Sequence, residues 1–85
     1  YKLNQNYPNP FNPTTNINFS IPENTFVSLK IYNSLGQQIK ELINGFYKRG
    51  EYSVEFDASK LSSGVYYYRI STESFSDIKK AVLLK

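Results

Sequence analysis

From Thr15 the chain alternates with a period of two: Ile17, Phe19 and Ile21 share one side and Asn16, Asn18 and Ser20 the other. Successive side chains leave a pleated backbone on opposite faces, so this is the pattern of a half-buried strand. Val27, Leu29 and Ile31 repeat it with Ser28 and Lys30 outward, and Pro22-Glu23-Asn24-Thr25 reads as a turn between. The two strands are predicted to pair as a hairpin. Asn33-Ser34-Leu35-Gly36 is the next turn, with Gly36 free to take a positive φ. Leu35, Ile39, Leu42 and Ile43 have helical spacing, but Gly36 weakens a helix start. The segment is assigned to a strand with a bulge between Ile39 and Leu42, ended by a hairpin turn at Asn44-Gly45. Phe46 to Gly50 reads as a short strand or loop. Tyr52, Val54 and Phe56 then alternate with Ser53 and Glu55, and Tyr66, Tyr68 and Ile70 alternate with Val65, Tyr67, Arg69 and Ser71. The last run sets Ile78, Lys80, Val82 and Leu84 against Lys79, Ala81, Leu83 and Lys85, with Val82 and Leu84 expected in the core. About seven short strands near ten residues apart predict an all-β fold, an antiparallel β-sandwich, over residues 15–85.

Residues 1–14 are different. Tyr7-Pro8-Asn9-Pro10-Phe11-Asn12-Pro13 holds three of the four prolines and suits neither helix nor central strand. It is read as an extended lead-in, and Tyr7 and Phe11, too large for a spacer, are expected to pin it onto the body of the domain. The chain starts at Tyr1 without Met or a leader and is read as a piece of a longer protein.

Composition narrows function. Eight Tyr and six Phe favour strands, and 85 residues suffice for one small core. Without Cys or His there is no thiolate, no disulfide, no imidazole base and no ordinary zinc site. The seven acids are dispersed: Glu51, Glu55 and Asp57 offer at most a weak cation site and read as a solvated edge. The four glycines are isolated, so no phosphate-binding loop exists, and the net charge of +3 is scattered rather than gathered for nucleic acid. The chain is therefore read as non-catalytic, without cofactor or metal.

Leu61-Ser62-Ser63-Gly64-Val65-Tyr66 places a tyrosine at the entry to the penultimate strand, as in immunoglobulin-like domains, whose corner tyrosine bonds back to nearby backbone. Tyr68 stands where antibody domains carry a cysteine and is expected to supply the cross-sheet contact by packing.

The order Leu3-Asn4-Gln5-Asn6-Tyr7-Pro8-Asn9-Pro10-Phe11-Asn12-Pro13, Ile17-Asn18-Phe19-Ser20-Ile21-Pro22, Val27 to Gly36, Leu61 to Arg69 and Lys79-Lys80-Ala81-Val82-Leu83-Leu84-Lys85 closely resembles the C-terminal sorting domain of the type IX (Por) secretion system, over essentially the whole chain. That family in turn resembles the immunoglobulin-like domain of flagellar hook-capping proteins. The resemblance implies a module that carries a covalently joined N-terminal passenger through the periplasm to the cell surface or the extracellular space. Its partners are an outer-membrane translocon and a cell-surface sortase-like protease. By the same resemblance the signal lies in Gly64, Val65, Tyr66, Lys79, Lys80, Val82, Leu83, Leu84 and Lys85, and Asn6, Tyr7, Pro8, Asn9, Pro10 and Phe11 mark the passenger boundary. A last strand with Val82 and Leu84 inward and Lys79 and Lys85 displayed would suit strand addition. Two other roles remain open at this point. One is a self-associating surface or fibre subunit that donates its lead-in to a neighbour; the other is a carbohydrate-binding module using Tyr47, Tyr52 and Tyr67.

Overall fold

A computed structural model describes all residues, Tyr1–Lys85, and contains strands and turns only. The strands are β1 (Lys2–Leu3), β2 (Thr14–Ile21), β3 (Thr25–Asn33), β4 (Gln38–Tyr47), β5 (Gly50–Asp57), β6 (Gly64–Ser71) and β7 (Ser76–Leu83). They form a three-stranded sheet, β1-β2-β5, and a four-stranded sheet, β4-β3-β6-β7, with every strand pair antiparallel. The inward rows of the sequence pattern form the core: Ile17, Phe19 and Ile21 from one sheet, Val27, Leu29, Ile31, Tyr68 and Ile70 from the other.

The expected hairpin between Thr15–Ile21 and Val27–Ile31 is not formed. β2 and β3 lie in different sheets, and residues 22–24 cross between them. A hairpin would put both apolar rows on one face of one sheet; crossing over turns them toward each other, so each covers the other. Asn24 Oδ1 accepts the Arg49 amide at 2.9 Å, tying this crossing to the one between β4 and β5. Asn44-Gly45 is likewise no turn: Asn44 pairs with Ser28 and Gly45 with Val27 inside a continuous β4. The local turn preference yields because β3 extends back to Thr25 and offers partners as far as Tyr47.

Of the segment Leu35 to Ile43, assigned to a strand, Gln38 to Ile43 is strand and Leu35 to Gln37 is not. β4 carries two irregularities, with Leu42 left over between the pairs Leu29/Ile43 and Lys30/Glu41, and Ile39 between Ile31/Lys40 and Tyr32/Gln38. Leu35 stays in the preceding turn, 81% exposed, and Gly36 there has φ 83°.

In β7 the faces are the reverse of the expectation: Ala81 and Leu83 are buried, whereas Ile78 and Leu84 are more than half exposed and Val82 is half-buried. Ala81-Val82-Leu83-Leu84 is apolar in both phases, so its pattern alone does not choose. Register chooses, pairing Ala81 with Tyr66 and Leu83 with Gly64. Each inward residue of β7 beyond Lys79 then shares the core side with Tyr66, and the small Ala81 leaves that ring its space.

Candidate functional site

The lead-in threads from one sheet to the other. Asn4 and Tyr7 bond to the backbone of Asn18 and Asn16, continuing β1 along β2. The chain then crosses to β7, where the Phe11 amide donates to the Val82 carbonyl at 2.9 Å and the Leu84 amide donates to the Phe11 carbonyl at 3.0 Å. This bridge runs parallel to β7. The Tyr7-Pro8, Asn9-Pro10 and Asn12-Pro13 bonds are all cis. Phe11 is 2% exposed and packs on Phe56 with ring centroids 5.6 Å apart. Burying a ring of that size stabilises by about 1.5–3 kcal/mol, so Phe11 is the pin that the sequence suggested. Tyr7 is not, because its side chain is 81% exposed and only its backbone is held.

Of the residues assigned to the boundary and to the signal, Asn9 and Phe11 therefore meet Val82, Leu83 and Leu84 in one seam. Asn9 Oδ1 accepts the Val82 amide at 2.9 Å, and Gln5 Nε2 donates to the Lys80 carbonyl at 2.6 Å. Val82 is thus engaged on both its amide and its carbonyl. The edge on which strand addition was expected is covered between Lys80 and Leu84 by the molecule's own lead-in. On the inner side of β7, Lys79 stands opposite Tyr68; on the outer side, Lys80 stands opposite Tyr67 and Val82 opposite Val65. Lys85 turns back to the β5–β6 connection, its amide donating to Ser63 Oγ at 3.0 Å and its Nζ to the Ser59 carbonyl at 2.7 Å. Gly64 opens β6 at φ 154°, a backbone conformation that side-chain-bearing residues seldom adopt.

Tyr66 donates its hydroxyl to the Ser62 carbonyl at 2.6 Å, the backbone bond anticipated for a corner tyrosine. Tyr68 does more than pack. Fully buried, its hydroxyl donates to the Asn4 carbonyl and accepts the Asn6 amide, both at 2.7 Å, which fastens the four-stranded sheet to the lead-in. Burial pushes the Tyr68 phenol up to about 12; the Asn6 amide pulls the other way and the Asp77 carboxylate adds to the rise. Asn6, 2% exposed, donates through Nδ2 to Thr15 Oγ1 and to the Pro8 carbonyl, and Thr15 Oγ1 donates to the same carbonyl at 2.8 Å. Every buried side-chain polar atom of the chain has a partner. The sequence assigned Asn6 to the boundary, but the burial of Asn6 and Thr15 was not legible there, because polar residues are ordinarily taken as exposed.

The tyrosines considered for sugar stacking do not form a common platform. Tyr52 of β5 stacks on Phe19 and meets Tyr47 of β4 edge-on at 87° between the two sheets, while Tyr67 stands on the outer face of the four-stranded sheet opposite Lys80. Glu51, Glu55 and Asp57 line the exposed side of β5; the Ser59 amide bonds to the Asp57 carboxylate at 2.9 Å and holds it below its usual value.

A family profile described as a secretion system C-terminal sorting domain matches residues 5–84. No curated protein matches the chain.

Proposed function

The chain belongs to the family of secretion system C-terminal sorting domains, and from that membership we propose that its address is a composite of the lead-in and the last hairpin. The family role is that of the sorting signal in type IX secretion: the domain is linked to an N-terminal passenger, engages the type IX machinery, and leads to the cell surface or extracellular space. In the finer reading the domain folds in the periplasm, is recognised folded by an outer-membrane translocon, and is removed at the surface by a sortase-like protease. It performs no catalysis of its own.

The observation that carries the composite address is the bridge from Phe11 to Val82 and Leu84, which makes the β7 surface a property of the folded domain. A domain that has not closed its lead-in presents a different edge, so recognition of the seam selects folded passengers' tails. Deleting Ile78 to Lys85 is expected to abolish surface export of a fused reporter in a bacterium with a type IX system. The double variant Gln5→Ala, Asn9→Ala removes two caps from the β7 edge while sparing the core, and is expected to reduce export with the fold retained. Wild-type export of the deletion would overturn the sorting reading; wild-type export of the double variant alone would return the signal to β7.

A further inference from the structure

The four-stranded sheet leaves its outer face bare. β3 presents Phe26, Lys30 and Tyr32 there, β4 presents Phe46, β6 presents Tyr67 and Arg69, and β7 presents Ile78 and Lys80. Phe26 and Phe46 are direct cross-strand partners, 49% and 68% exposed, and Ile78 is 53% exposed. Half of the chain's six exposed large hydrophobics thus lie on one face. The cations share it. Lys30 pairs with Arg69, Arg69 with Ile78, and Lys80 with Tyr67, while Glu41 opposite Lys30 is the one acid among these strands' outward positions. Between Tyr32, Tyr67, Arg69 and Ile78 lies a shallow cavity of about 280 Å³, wide enough for one apolar side chain of a partner.

The outer face of the other sheet is its opposite. β5 turns Glu51, Glu55 and Asp57 outward, and β2 turns Asn16, Asn18 and Ser20 outward beside them. None of the strands there exposes a large hydrophobic side chain.

We infer that the outer face of β4-β3-β6-β7 is the surface on which this domain docks to the export machinery, and that the partner presents a protein surface with an apolar centre and acidic surroundings. The inference rests on the sorting role. It follows from what each alternative lacks. The lead-in covers the β7 edge between Lys80 and Leu84 and the β4 edge is broken by two irregularities, so a partner that engages the seam extends from it over the face of this sheet. A second copy is a poor occupant, since its three-stranded face offers acids without apolar side chains and its four-stranded face offers apolar side chains with the same positive charge. The composition, aromatics with an arginine, is that of an interface centre. The molecule's two longer extents are 37 and 23 Å, the scale on which a standard interface takes roughly 800 Å² from each partner.

The test uses the full domain fused to a reporter in a bacterium with a type IX system. Four forms are compared: wild type, domain deleted, Lys30→Glu with Arg69→Glu, and Glu51→Lys with Glu55→Lys on the opposite face. Phe26→Thr with Phe46→Thr is a further form that keeps strand-favouring residues, and thermal unfolding of each purified domain reports its fold. The inference expects the deletion to block export, and the Lys30/Arg69 and Phe26/Phe46 variants to melt near wild type yet lose export by about tenfold or more. The Glu51/Glu55 variant is expected to export normally. Normal export without the domain would overturn the sorting role itself. Blocked export on deletion, with normal export of a folded face variant or equal loss from the Glu51/Glu55 variant, would overturn the docking face and leave the sorting role standing. Should the charge-reversed domain fail to fold, Lys30→Gln with Arg69→Gln replaces it, judged by the same outcomes. Sedimentation showing a wild-type dimer that Arg69→Glu dissociates would assign the face to a second copy. Flotation of the wild type with phosphatidylglycerol vesicles, lost in that variant, would assign it to a bilayer.

Discussion

The two open sides of the sandwich are closed by different means. On one side the lead-in is laced from β2 across to β7, anchored by Phe11 in the core and by the Tyr68 hydroxyl between Asn4 and Asn6. On the other, β4 and β5 are linked through the short crossing at Lys48 and Arg49, with Lys40 Nζ donating to the Asp57 carbonyl at 3.3 Å. The laced side is covered by chain, hydrogen bonds and a buried ring. The open side is defended by irregular register and by charge at Lys40 and Glu41, which spoil it as a template for another strand. A small domain thus has two ways to blunt an edge. One contributes to stability and is sensitive to mutation; the other costs little to alter.

Phe11→Ala is expected to be the most damaging single change, costing about 3–5 kcal/mol. Against a total stability of roughly 4–13 kcal/mol for a chain of this length, that approaches unfolding. A urea titration measures it, and a loss below about 1 kcal/mol would show that the lead-in is a cover without structural weight.

Tyr68→Phe comes next, at about 1–3 kcal/mol, because the Asn4 carbonyl and Asn6 amide stay buried without their partner. The same residue makes a pH signature. Its folded pKa lies above the unfolded value of 10.0, at about 12, so the native state holds its proton when the unfolded chain has begun to release it. This contribution to stability is intact below pH 10.0 and is lost as the pH rises toward about 12. Unfolding free energies across that window are expected to fall for the wild type and to fall less for Tyr68→Phe; parallel curves would refute the assignment.

Asn9→Ala touches only the outer cap on Val82 and is expected to cost about 0.5–1.5 kcal/mol. Hydrogen exchange at the Val82 amide reads it directly, with faster exchange there and little change in β3. On the open side the sign reverses. Gly45 has no positive φ, and a Cβ there meets only the Tyr47 ring at 3.9 Å. Gly45→Ala is therefore expected to stabilise by about 0.4–1 kcal/mol, seen as a raised melting temperature. A destabilising result would mean that β4 needs glycine's freedom after all.

Much of this was legible along the chain. Ile17, Phe19 and Ile21, then Val27, Leu29 and Ile31, announce their inward faces through strict alternation, and the Tyr66 bond to Ser62 follows from its place at the entry to β6. Asn6 was legible only as part of a motif; that its amide and side chain would be buried in a polar knot depends on Tyr68, which is 62 residues away. The family motifs named Phe11 and Val82 separately, and nothing local says that they touch.

By itself the sequence determined which segments are strands and, in most of them, which side faces inward, because a two-residue period and turn residues act over a few bonds. The tertiary structure alone decided which strands share a sheet, the phase of Ala81 to Leu84, and the closure of the lead-in over β7. Those outcomes rest on pairings between distant residues. A backbone amide will accept any strand as partner, and only the packing of the whole core makes one partner better than the rest.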